Sequence, residues 1–213
     1  MKRISVILIQ LAFVGSIVRA DVIYSNLGPG DSFDTVAYLV LGPTSNLGVD
    51  IDIAAPFMGS AQPTVLASAE MALGHSPLSG NNELLVQLRS DVGGSPGSVL
   101  ASSSVAQVPA GPTLVTADFS ASPVTLQPGN TYWLVADAND DAFLLWFWNN
   151  TGDFGVAERQ SDIPGGGWNA FDGVSPAFRI NGNVVPEPSG LILTSLALVG
   201  LLLQAGGTAY RCR

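Results

Sequence analysis

Between Asp21 and Val185 the chain runs in short stretches where every second residue is apolar, divided by Gly, Pro, Asn, Asp and Ser. Side chains that point alternately to opposite faces have this period of two, so the pattern predicts β-strands with one buried face. The stretch "VLASAEMALG" sets Val65, Ala67, Ala69, Met71 and Leu73 on one side. Likewise "ELLVQLRS" aligns Leu84, Val86 and Leu88, and "TLVTADF" aligns Val115, Ala117 and Phe119. The stretches "NTYWLVAD" and "AFLLWFWN" carry aromatic and branched residues that favour strands. In the second, Leu145 and Phe147 alternate with Leu144, Trp146 and Trp148, so both faces are expected to be covered. Pro128 and Gly129 in "QPGN" supply turn geometry. No stretch of this body sustains a helical period with caps, and none repeats, which leaves an all-β sandwich over residues 21–182 and a brief spacer at "NGNVVPEP".

The two ends have a different character. In "MKRISVILIQLAFVGSIVRA", Lys2 and Arg3 precede an apolar run from Ile4 to Ile17, and Val18-Arg19-Ala20 places small residues at cleavage positions. Residues 1–20 therefore read as a secretory signal peptide, with the mature chain beginning at Asp21. At the other end, residues 183–213 hold Pro186-Glu187-Pro188, the uncharged run Ser189 to Tyr210, and Arg211-Cys212-Arg213. As a helix, the uncharged run would reach about 33 Å, enough for a hydrocarbon core of about 30 Å. Arg211 and Arg213 mark the cytoplasmic side and stop transfer, so the body is expected outside.

The tail resembles the PEP-CTERM sorting signal of Gram-negative bacteria, although its basic end is Arg-Cys-Arg rather than an unbroken arginine run. The resemblance implies an exosortase as partner, a membrane contact through the C-terminal helix before processing, and cutting near Pro186, Glu187 and Pro188. The prolines suit that role because they keep the segment extended at the membrane surface. A permanent tail anchor is the alternative. The body is similar to the choice-of-anchor R domains of exported bacterial proteins through Ile53 to Phe57, Leu88 to Leu100, Leu126 to Ala136, Trp148-Asn149-Asn150 and Pro176 to Gly182. That resemblance implies a jelly-roll-like β-sandwich at the cell surface and no particular reaction.

Charge narrows the partners. The body holds Arg89, Arg159 and Arg179, no lysine and sixteen acidic residues, a formal charge of −13. Nucleic acid is excluded as a partner, since binding it requires a basic patch. Cys212, the sole cysteine, lies in the tail, so the body has neither a disulfide nor a thiol nucleophile.

Candidate chemistry is sparse. Gly93 to Gly97 spell G-x-S-x-G, but Pro96 follows the serine and the only histidine, His75, precedes it, whereas a nucleophile elbow needs a following helix and a later histidine. Gly30 to Phe33, "GDSF", meets the same objection, and both stretches read as turns, with His75 in a loop. Glu70, Glu83 and Glu158 qualify for glycoside hydrolysis by residue type only, and no enzyme activity is expected. No cofactor is expected apart from calcium, for which Asp137, Asn139, Asp140 and Asp141 offer oxygen ligands on one turn. That stretch begins like an EF-hand loop and then departs, with Ala142 in place of the glycine and Trp148 in place of the final glutamate. Trp133 and Trp168 are the candidates for stacking on a sugar, Trp168 in the glycine-rich "PGGGWNAFDG". The expectation is an exported structural or adhesive protein of the cell surface or exopolysaccharide matrix, the alternative an extracellular carbohydrate-binding module.

Overall fold

The computed structural model describes residues 20–43, 49–77, 80–138, 142–160 and 165–185. Thirteen strands follow one another: β1 (Asp21–Ser25), β2 (Tyr38–Leu41), β3 (Ile51–Met58), β4 (Thr64–His75), β5 (Leu84–Asp91), β6 (Pro96–Val105), β7 (Thr113–Asp118), β8 (Thr125–Leu126), β9 (Thr131–Ala138), β10 (Leu144–Phe147), β11 (Phe154–Gln160), β12 (Asn169–Val174) and β13 (Phe178–Val184). They form a seven-stranded sheet in the order β1-β13-β4-β10-β2, with β7 and β8 also on β4, and a six-stranded sheet in the order β12-β11-β3-β9-β5-β6. Every strand pairing is antiparallel. The described residues form an all-β arrangement of two facing sheets, as the alternation predicts.

The shared core lies between them. Leu84, Val86 and Leu88 of β5 point inward with Ile51, Ile53 and Phe57 of β3 and meet Met71, Leu73, Trp146 and Phe178 of the other sheet. Ala117 and Phe119 are buried as expected. On β10 both faces are covered, Leu144 and Trp146 inside the sandwich and Phe147 outside it with Ala72 and Ala177.

Two expectations are corrected on β4. Its predicted phase fails at Ala67, because β13 pairs Asn181 with Ser68 but Gly182 with Leu66, leaving Ala67 as an extra residue. The bulge turns Leu66 inward and leaves Val65 half-exposed, while Ala69, Met71 and Leu73 keep the expected face. Gly182 is required there: a Cβ would stand 2.6 Å from the Val65 carbonyl oxygen. His75 is the last residue of β4 rather than part of a loop.

A third correction concerns the spacer, since strand structure continues through Asn181 to Val184. β13 lies between β1 and β4, with Asp21 opposite Gly182.

Candidate functional site

The outer face of the six-stranded sheet gathers Asp52, Asp137, Arg89 and Arg159 beside Trp133 and Trp168. Alternation sends Ile51, Ile53, Ala55 and Phe57 of β3 into the core and therefore sends Asp52, Ala54 and Pro56 out. Register then builds cross-strand rows. Arg159 of β11 stands opposite Asp52, and Asp137 of β9 follows Ala136, the partner of Ile53. In the next row Ala157, Ala54, Val135 and Gln87 lie side by side, and in the third Pro56, Trp133 and Arg89.

The first row is a buried ion pair. Asp52 has no exposed surface, and Arg159 donates from Nε to Asp52 Oδ2 at 2.8 Å and again from Nη2. Asp52 Oδ1 receives no hydrogen bond from the described residues. Burial first, and the neighbouring Asp137 charge second, push Asp52 up to about 7 against the pull of Arg159. Burial likewise raises Asp137, opposed by the neighbouring Asp52 carboxyl and then by the charge of Arg159. A proton held by this pair supplies a donor that two carboxylates lack, so the two acids titrate as one unit.

A stability prediction follows. Above the unfolded carboxylate value of about 4 and below 7, the folded chain holds a proton that the unfolded chain has released, so this pair's contribution to stability declines as pH rises through that window. Urea midpoints measured from pH 4.5 to 8 should fall by more in the wild type than in Asp52→Asn. Parallel profiles in the two proteins would contradict it.

Above the second row sits Trp168, brought back over the sheet by Gly165 to Gly167. It packs on Ala54, Trp133, Val135 and Ala157, whose small or flat surfaces leave room for the indole. The Arg159 guanidinium lies 5.1 Å and that of Arg89 5.8 Å from its ring centre, both in cation–π range. Arg89 donates from Nε to Gln87 Oε1 at 2.8 Å and from Nη1 to the Gly97 carbonyl at 3.2 Å. Both acceptors are neutral. Burial, then the like charge of Arg159, draws the Arg89 guanidinium below its usual value.

Two grooves flank this cluster. One, of about 550 Å³, runs between Trp168, Arg89, Arg159 and the start of β6. The other, of about 440 Å³, lies over Trp133, Pro56 and Gly155 toward Asp172.

The sequence candidates divide accordingly. Trp168 is half-buried with one edge in a groove. Trp133 is floor rather than stacking platform, 4% exposed, its Nε1 donating to Asp91 Oδ1 at 2.8 Å. Asp91 Oδ2 accepts from Gly94 N–H and so caps its own turn. Asp137 faces Asp52 and accepts from Gln87 Nε2 at 3.4 Å, while Asn139, Asp140 and Asp141 lie outside the described residues. Among the described residues no group of three His, Cys, Asp or Glu side chains gathers to hold a metal. The sorting residues Pro186, Glu187, Pro188, Arg211 and Arg213 also lie outside them. Ser95 sits in the β5–β6 turn, where Gly93 and Gly94 adopt φ of 63° and 81°. Glu70 is tied to Arg179, which also holds Asp31, in the seven-stranded sheet, whereas Glu158 belongs to the other sheet.

Asp52, Arg159, Arg89 and Gln87 were not among the sequence candidates. A signal did exist: in "IDIAAPF" the single charge sits between two isoleucines of an alternating run, and only three arginines in the body could pair with it.

The fold and this face define a two-sheet antiparallel β protein that presents an aromatic and arginine cluster on one outer surface. No protein-family model matches the chain, and no curated protein matches it in sequence.

Proposed function

We propose that the chain is an exported surface protein. Its signal peptide is removed before Asp21, its C-terminal helix holds it in the inner membrane, and an exosortase reads Pro186-Glu187-Pro188. The body, a jelly-roll-like sandwich, then serves as a structural or adhesive component of the cell surface or exopolysaccharide matrix of a Gram-negative bacterium.

One observation carries this reading: β1 starts at Asp21 and pairs with β13, whose last residue is followed by Val185 and then by Pro186. Both segments that such processing removes thus join the fold at neighbouring strand ends, and neither cut divides a strand. Mass spectrometry of the mature protein should find Asp21 at one end, a terminus near Pro188 at the other, and no peptide from Leu191 onward. Replacing Pro186-Glu187-Pro188 by three alanines should trap the full-length chain in the inner membrane. Native protein that retains Arg213 and stays in that membrane would identify the tail as a plain anchor.

The second reading, an extracellular carbohydrate-binding module, is favoured by Trp168, a half-buried aromatic ring that lines a groove on an outer sheet face.

A further inference from the structure

We propose that the groove between Trp168 and the start of β6 binds an acidic saccharide, the sugar face lying on the indole and the carboxylate on Arg89 with Arg159 alongside. The proposal rests on the carbohydrate-binding reading and adds the charge of the ligand.

The argument begins with where the few cations go. Sixteen acidic residues and three arginines make up the charge of the body, and two of those arginines converge on this groove. No acidic residue lines it among the described residues. Arg179, the third, is occupied by Asp31 and Glu70 on the other sheet. Arg159 is partly neutralised by Asp52 beneath it. Arg89 differs, because its two protein acceptors are a carboxamide and a carbonyl, and no carboxylate among the described residues lies within ion-pair distance of it. Two guanidiniums are therefore held against one aromatic ring and repel each other, with only Arg159 in a direct ion pair and with Asp52 and Asp137 acting on Arg89 at longer range. An anion between them relieves that repulsion.

Shape and range agree with this assignment. About 550 Å³ is within the range of small-molecule sites, and an open groove accepts one unit of a polymer. Guanidinium N–H groups match a carboxylate in forked geometry. Ser95 and Ser98 bring hydroxyl groups to the same wall. The acidic remainder of the body does not forbid an anionic ligand, because charges beyond about 8 Å are screened at physiological salt.

The test uses full-length protein in detergent with two probes, an oligogalacturonate and the same oligomer fully methyl-esterified. The acid form should bind at least tenfold more tightly than the ester, and less tightly as salt rises. Arg89→Gln should weaken its binding at least tenfold. Ser98→Glu should do the same by placing a carboxylate in the groove, and because Ser98 is exposed the fold is retained. Equal binding of acid and ester, lost in Trp168→Ala, would overturn the acidic ligand while leaving saccharide binding intact. Binding of neither probe would overturn both, and acid binding unchanged in Arg89→Gln and Ser98→Glu would remove it from this groove.

Discussion

Arg159→Met should lower the stability of the protein by about 3–5 kcal/mol at pH 8, the usual cost of leaving one partner of a buried ion pair behind. Asp52 is fully buried beneath Arg159, and no other cation reaches it among the described salt bridges. Without Arg159 its carboxyl must either stay charged in the sheet or hold its proton to higher pH. The second route sets the pH dependence. Over the range where the variant keeps a proton that the wild type has lost, each pH unit adds about 1.4 kcal/mol to the difference between them. The loss should therefore be smaller at pH 6 than at pH 8 by up to about that amount. Asp52→Asn combined with Arg159→Met should recover most of the stability, since the uncompensated charge has gone. Urea unfolding of the three proteins at both pH values measures this, and a pH-independent loss under 1 kcal/mol would mean that the pair is not buried as described.

Trp146→Ala should cost about 3–5 kcal/mol, as expected for emptying a large aromatic site in a close-packed core. Trp146 has no exposed surface, meets Phe178 edge-on at 6.1 Å, and donates from Nε1 to the Ala177 carbonyl at 3.0 Å. It stands on β10, which joins β2 to β4, so the cavity would open beneath the strand that holds that side of the sheet together. Trp146→Phe fills much of the volume and forfeits the hydrogen bond, and should lose about 1–3 kcal/mol. Chemical denaturation separates the cases, and equal losses for both substitutions would assign the effect to the hydrogen bond rather than to packing.

The parts of the fold that could be read beforehand are those where one strand is sufficient. Leu84, Val86 and Leu88 share a face because alternation is a property of five consecutive residues, and Val115 to Phe119 behave the same way. Ala67 could not be read, since a bulge on β4 is set by the approach of Gly182, more than a hundred residues later. The candidate site failed for the same reason. Trp168 was legible as an aromatic in a glycine-rich stretch, but its setting depends on Arg89 and Arg159, which the order β11-β3-β9-β5 brings together from separate parts of the chain. Trp133 shows the converse error: an aromatic residue on a strand carries no mark of which neighbour will cover it, and here Trp168 does.

Under the proposed attachment by the C-terminus, the position of β13 decides how the body would bear load. Any pull on an attached body enters at Val184 and runs along a strand flanked on both sides, by β1 and by β4. Hydrogen bonds between antiparallel strands lie perpendicular to the strand direction, so such a load strains them together in shear instead of peeling them one after another. Resistance to force then depends on the rate of unfolding, not on the equilibrium stability that urea measures. A last strand at the sheet edge would have only one neighbour to share such a load; β13 has two.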